Sequence, residues 1–260
     1  MAGLTLALGF GCVDPGVVGT VCPGGLACDT ATGQDAGRIP LDAASSPFDA
    51  ASTQAGAGRC AGDPPVDMYL LIDDSTSMLP WWPATLEGIN DFFHAPESEE
   101  LGVGLQFFGT SCDIAVYVDP RVPIAPLPGN LLVLQTAFPL IPSEESAMRP
   151  ALTGAITHAR SWAVSHPDHQ VMVVLMTDGA PEECDSTLDN VARVAMEGFQ
   201  GQPPIPTHVI VLGALGILSV FAEAGGTGAA RFVSPGAPAE LHAALGELRD
   251  AKRPCSAARP

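Results

Sequence analysis

From Val66 onward the chain alternates between short, nearly unbroken apolar runs and longer stretches in which apolar residues recur every three or four positions. Residues 68–72, 171–176 and 208–212 are almost wholly hydrophobic, as strands covered on both faces must be. Residues 101–108 and 114–118 predict two further strands joined by a tight turn over 109–113, a connection short enough to make one edge antiparallel. Residues 231–233 predict a short last strand.

The stretches between these runs carry a helical period. Trp82, Leu86, Ile89 and Phe93 line one face of a helix opened near Pro80 and Pro83. Pro150 is the expected first residue of a second helix, with Leu152, Ile156, Ala159 and Ala163 as its inner stripe. Ser186 and Asp189 resemble a capping box ahead of a helix that buries Leu188, Val191, Val194 and Ala195. Pro238 opens a final helix whose Leu241, Leu245 and Leu248 share a face. Such alternation of strands and helices predicts a mostly parallel sheet linked by crossover helices. The apolar stretch over residues 209–222 is shorter than the ~20 residues a membrane helix needs and reads as a buried strand running into a helix.

Composition bears mainly on the remainder of the chain. Residues 13–65 are rich in Gly, Ala, Pro, Ser and Asp without apolar periodicity, and predict a flexible tether; Cys22 and Cys28 could close a small loop in it. Residues 3–11 form a short apolar stretch ending at Cys12, similar to the end of a lipoprotein-type signal segment in residues 1–12, although a basic start is missing and Gly9 stands where Leu is usual. An ordinary buried segment is the alternative; if the signal reading holds, Cys12 carries the lipid. The formal charge is −18, from 11 Lys and Arg against 29 Asp and Glu, which repels a phosphate backbone and argues against nucleic acid as a partner. The seven cysteines match no zinc spacing, and with Cys12 set aside the remaining six can all pair, which points to an oxidising, extracytoplasmic compartment. The six histidines show no His-Glu-x-x-His pattern and are read as surface or capping residues, and residues 120–130 as a rigid Pro-rich loop.

In a parallel sheet ligands bind where strands end at their carboxyl edge. The loops there read Asp73-Asp74-Ser75-Thr76-Ser77 and Asp178-Gly179. Taken alone, such residues are also ordinary helix caps. However, Val-Asp-Met-Tyr-Leu-Leu-Ile-Asp-Asp-Ser-Thr-Ser-Met (66–78) resembles the first strand and metal loop of von Willebrand factor A domains. The resemblance continues through Arg-Pro-Ala-Leu-Thr-Gly-Ala-Ile, Val-Leu-Met-Thr-Asp-Gly-Ala-Pro, Ile-Pro-Thr-His-Val-Ile-Val-Leu-Gly and Ala-Glu-Ala-Gly-Gly-Thr, in that order. It covers residues 66–252, leaving 253–260 as a tail. The fold it implies is α/β: a three-layer, doubly wound, mostly parallel six-stranded sheet with one antiparallel edge strand and helices on both faces.

The same resemblance implies a metal-ion-dependent adhesion site. Ser75 and Ser77 would give hydroxyl oxygens directly to Mg²⁺ or Mn²⁺, and Asp73 and Asp178 would hold the ion directly or through water. Ser146 stands where the family has Thr, and Thr153 lies too far into its helix to replace it. Such an ion takes a carboxylate from a protein partner's Asp or Glu, which makes the expected function non-catalytic binding on the cell envelope, by a lipid-anchored or secreted protein. In this fold the turns carrying Cys112 and Cys184 emerge on the metal face, so a Cys112–Cys184 bond is expected there, with Cys60–Cys255 clasping the domain ends. Trp82 is read as core and Trp81 is left open. The alternatives are a metal-free scaffold or assembly subunit and a metal-dependent hydrolase or phosphatase. Against the latter, Ser75 occupies the place of a phosphatase's second Asp, and no Gly-x-Ser-x-Gly elbow is present.

Overall fold

The computed structural model describes residues 62–142 and 145–253. Cys12, residues 13–61 of the expected tether, with Cys22 and Cys28, and the Cys60–Cys255 pair lie outside the described residues.

Strand β1 (Val66–Asp73) is buried at every position and forms the centre of the sheet. It pairs in parallel with β2 (Gly102–Phe108) on one side and β4 (Gln170–Thr177) on the other. The sheet order is β3-β2-β1-β4-β5-β6, where β3 is Val122–Pro126, β5 is Thr207–Leu212 and β6 is Arg231–Val233. Only β2–β3 is antiparallel. Successive residues of a strand point to opposite faces. Val66, Met68, Leu70 and Ile72 therefore enter one core beneath α1 (Trp82–His94) and α7 (Pro238–Asp250), while Tyr69 and Leu71 enter the other. That second face is covered by α4 (Met148–Ser165), α5 (Leu188–Gln200) and α6 (Ser219–Ala224).

The antiparallel edge is not the segment the apolar pattern indicates. Ile114–Val118 is a short helix, α2, because the Asp113 carboxylate accepts the Ala115 N–H at 3.0 Å and caps it. The amide of Gln106 then donates to the carbonyl of Asp119 at 2.7 Å and fastens the helix end to β2. The edge strand lies instead in the Pro-rich stretch expected to be a loop. Val122 and Ile124 face inward and Pro123 outward, and prolines that cannot donate to a ladder are tolerated at an edge. A short helix, α3 (Leu131–Ala137), follows it.

Three local expectations are also revised. Helix α4 starts at Met148, so Pro150 is its third residue, where a missing N–H is still one of the four that lack an intrahelical partner. The cap of α5 is Thr187, whose hydroxyl accepts the Asn190 N–H at 3.2 Å, while Ser186 accepts the Arg149 N–H at 2.9 Å. His208 is not a surface residue: it sits in β5, 8% exposed, and neither ring nitrogen has a hydrogen-bond partner among the described residues.

Gly154 shows how closely the helices approach. A methyl group there would lie 2.5 Å from Tyr117 Cβ and 2.7 Å from the Tyr117 carbonyl carbon. Gly154→Ala would gain up to about 1 kcal/mol in helix propensity. Overpacking against a backbone that must move costs about 1–3 kcal/mol, so the variant is expected to be less stable in urea unfolding despite the better helix former.

Candidate metal centre

Strand β1 ends at Asp73 and β4 at Thr177, side by side in the sheet, so their following loops leave the same edge together. The Asp73 side chain is fully buried and held at both oxygens. Oδ1 accepts the Ser75 N–H at 2.9 Å and Oδ2 accepts the Thr177 hydroxyl. With both oxygens tied, the carboxylate cannot rotate away from the loop it anchors. Ser75 Oγ lies 3.0 Å from Ser77 Oγ, and Ser77 Oγ donates to Asp178 Oδ1 at 2.8 Å. Asp73, Ser75, Ser77 and Asp178 are thus one hydrogen-bonded chain across two loops.

Ser146 completes the group by position. It stands two positions before the start of α4 and lines, with Asp73, Ser75 and Ser77, an open cleft of about 320 Å³. Its hydroxyl is buried and has no hydrogen-bond partner among the described residues. A buried hydroxyl without a partner costs about 1–3 kcal/mol, which a ligand in the cleft would recover.

The electrostatics favour a cation. Burial raises the Asp73 carboxyl to about 6, against the opposing hydrogen bonds from Ser75 and Thr177. Burial also raises Asp178, opposed by hydrogen bonds from Ser77 and the Trp81 indole. Among the described residues no Lys or Arg pairs with either carboxylate. The rim adds Glu145, Glu182 and Glu183. Two desolvated carboxylates without a counter-charge, three hydroxyls and an acidic rim suit a hard divalent ion that prefers oxygen and keeps some of its water. No group of three or more His, Cys, Asp or Glu gathers among the described residues, so hydroxyls must supply much of any coordination at this site.

All five residues that the resemblance marks therefore lie at one sheet edge. Two further participants, Thr177 and Trp81, are not marked by the motif. Thr177 closes the strand that carries Asp178, a signal visible as Thr-Asp-Gly; Trp81 reaches Asp178 only through the fold.

Cys112 and Cys184 are bonded, with Cα atoms 5.3 Å apart across a separation of 72 residues. The bond ties the loop after β2 to the loop after β4. The second loop is also held by the Glu183 N–H, which donates to the Ser146 carbonyl at 3.3 Å. Its backbone turns through two consecutive left-handed residues, Cys184 and Asp185, at φ 59° and 57°.

The sheet order, single antiparallel edge and two helical layers define the von Willebrand factor A type of α/β fold. Solved structures share it. The pilus adhesin SpaC of Lactobacillus rhamnosus GG in its open conformation superposes with a TM-score of 0.55 at 12% identity, over 75% of this chain and 31% of that one. A von Willebrand factor type A protein from Catenulispora acidiphila gives 0.50 at 17% identity, over 74% and 42%. Proximal thread matrix protein 1 of the mussel byssus gives 0.50 at 16%, over 75% and 49%. The chain thus spans less than half the length of each of these proteins. No family model matches the sequence, and no curated protein matches it. No helix among the described residues is long and apolar enough to cross a membrane.

Proposed function

We propose that the domain is a non-catalytic, divalent-metal-dependent protein-binding module. The observation that carries this is the convergence of Asp73, Ser75, Ser77 and Asp178 in one hydrogen-bonded chain, beside the partnerless Ser146 hydroxyl. Ser75, Ser77 and Ser146 would present hydroxyl oxygens to Mg²⁺ or Mn²⁺, with Asp73 and Asp178 supplying the negative charge. Such an ion, bound mainly by neutral hydroxyls, accepts a carboxylate from a partner's Asp or Glu into an exchangeable position. Asp73 holds the loop, Thr177 holds Asp73, and Trp81 steadies Asp178.

An extracytoplasmic location, lipid-anchored or secreted, is part of the proposal. The Cys112–Cys184 bond supports it, because disulfides persist in oxidising compartments. The lining of the cleft supports a binding role over hydrolysis: its described residues include neither His nor Lys to take a proton from a serine. The fold also occurs in a protein named as a pilus adhesin.

Calorimetric titration with Mg²⁺ and Mn²⁺ tests the proposal. Wild type is expected to give the heat of a single site and Ser75→Ala none, with unchanged circular dichroism in the variant. A wild type that gives no heat removes the metal-dependent reading. The second reading is a metal-free scaffold, favoured by the way Ser75, Ser77 and Asp178 already satisfy one another.

A further inference from the structure

The opposite edge of the sheet holds a second cluster, about 20 Å along β1 from Asp73 at ~3.3 Å per residue. There the chain passes from α4 to β4 through His166-Pro167-Asp168-His169. The His169 N–H donates to the His166 carbonyl at 3.0 Å, closing a four-residue turn. Pro in the second place presets the turn's backbone angle and brings the first and last side chains together. The two imidazole centroids are 5.1 Å apart, with ring planes inclined at 55°.

Both rings are fixed in orientation and tautomer. His166 stacks on Trp162 at 3.7 Å and 18°, and its Nδ1 lies 3.0 Å from the Trp162 carbonyl, with Ser165 Oγ at 3.3 Å. His169 Nδ1 lies 2.7 Å from Asp67 Oδ2, an oxygen that also accepts the Trp162 indole N–H at 2.6 Å. Asp67 is itself buried, 2% exposed. A carbonyl and a carboxylate oxygen can only accept, so each Nδ1 carries the hydrogen. Each neutral ring then has its lone pair on Nε2.

This is the state a metal-ligating histidine needs, with the second nitrogen held by a carboxylate or a carbonyl. Two Nε2 atoms at 2.0–2.1 Å from one tetrahedral ion place their ring centres about 5 Å apart, which matches the separation found. Both rings are only partly buried. His169 also lines an open hollow of about 670 Å³, which leaves room for water at the remaining positions. Among the described residues no third His, Cys, Asp or Glu joins the pair, so solvent or a small donor completes the shell.

We infer that His166 and His169 form a second metal site, for a borderline ion of the Zn²⁺, Ni²⁺ or Cu²⁺ class rather than the hard ion suited to Asp73. Imidazole nitrogen selects the former and oxygen the latter. Asp67 acts as a positioning residue that fixes the His169 ring.

Zn²⁺ titrated into the full, disulfide-bonded chain, followed by imidazole ¹⁵N resonances, tests the inference. The Nε2 signals of His166 and His169 are expected to move together and to saturate at one equivalent. His166→Gln is expected to abolish the response of His169, and His169→Gln that of His166. Asp67→Asn keeps the side-chain shape and is expected to weaken Zn²⁺ binding by about 10–100-fold while circular dichroism stays unchanged. Ser75→Ala is expected to leave the titration as it is, so failure of the carboxyl-edge centre and failure of this site are read separately. A response from one ring only, responses at different Zn²⁺ concentrations, or a His169 shift that survives His166→Gln would each overturn the inference.

Discussion

Replacing Cys112 and Cys184 together by alanine is expected to lower the stability of the domain by about 4 kcal/mol. The bond closes a loop of 72 residues, and the chain-entropy relation for a loop of that size gives a value of this order at 25 °C. For a domain of this length, each kcal/mol corresponds to about 2–4 °C, so the melting temperature should fall on the order of 10 °C. Scanning calorimetry of the double variant checks this, and a fall of less than 2–3 °C would mean that other contacts already constrain the same loop. Those contacts exist: Arg149 pairs with Asp185 at 3.4 Å, and Ser186 accepts the Arg149 N–H. The ion pair is largely exposed and contributes about 0–1 kcal/mol, too little to replace a covalent closure.

His208 is expected to impose a pH dependence on stability of about 3 kcal/mol. Burial first, and then the nearby positive charges of Arg231 and Lys252, lower its imidazole from 6.5 to about 4. Between these values the unfolded chain binds a proton that the folded chain refuses. Stability from this residue is therefore complete above pH 6.5 and is lost as the pH falls towards 4. Asp73, raised to about 6, acts in the opposite direction over much of the same range, because the folded carboxyl binds its proton more readily than the unfolded one. The His208 contribution is accordingly read as the difference between wild type and His208→Met. Urea unfolding from pH 7.5 to pH 4 should show the difference growing in favour of the variant as the pH falls. Parallel curves would refute the assignment.

The carboxyl-edge centre was legible in the sequence because its chemistry is packed into short segments. Asp73, Ser75 and Ser77 fall within five residues directly after an unbroken apolar strand, and Asp178 follows another. Both strands are central and covered on two faces, so their hydrophobic character needs no knowledge of the partner. The misread elements are those where local preference and tertiary contact disagree. Ile114–Val118 is apolar and rich in β-branched and aromatic residues, yet the Asp113 cap and the Gln106 amide hold it as a helix. Val122–Pro126 contains two prolines, and it becomes a strand only because β2 offers an open edge. The sequence leaves Trp81 open because nothing near it points to Asp178, 97 positions away, whose carboxyl its side chain helps to hold down.

The order and type of the long elements and the strand-end position of the acidic and hydroxyl residues were settled by the sequence itself. Each depends on the spacing of side chains, a property that exists before the chain folds. The Cys112–Cys184 bond is expected from the family resemblance and is formed; the joining of Ser77 to Asp178, the partnerless Ser146 hydroxyl and the Asp67–His169 contact belong to the tertiary structure alone. Ser77 and Asp178 lie 101 residues apart, and Asp67 and His169 lie 102 apart. Which side chains meet across such separations is decided by sheet order and register, through the burial of two large apolar faces, and no local pattern encodes it.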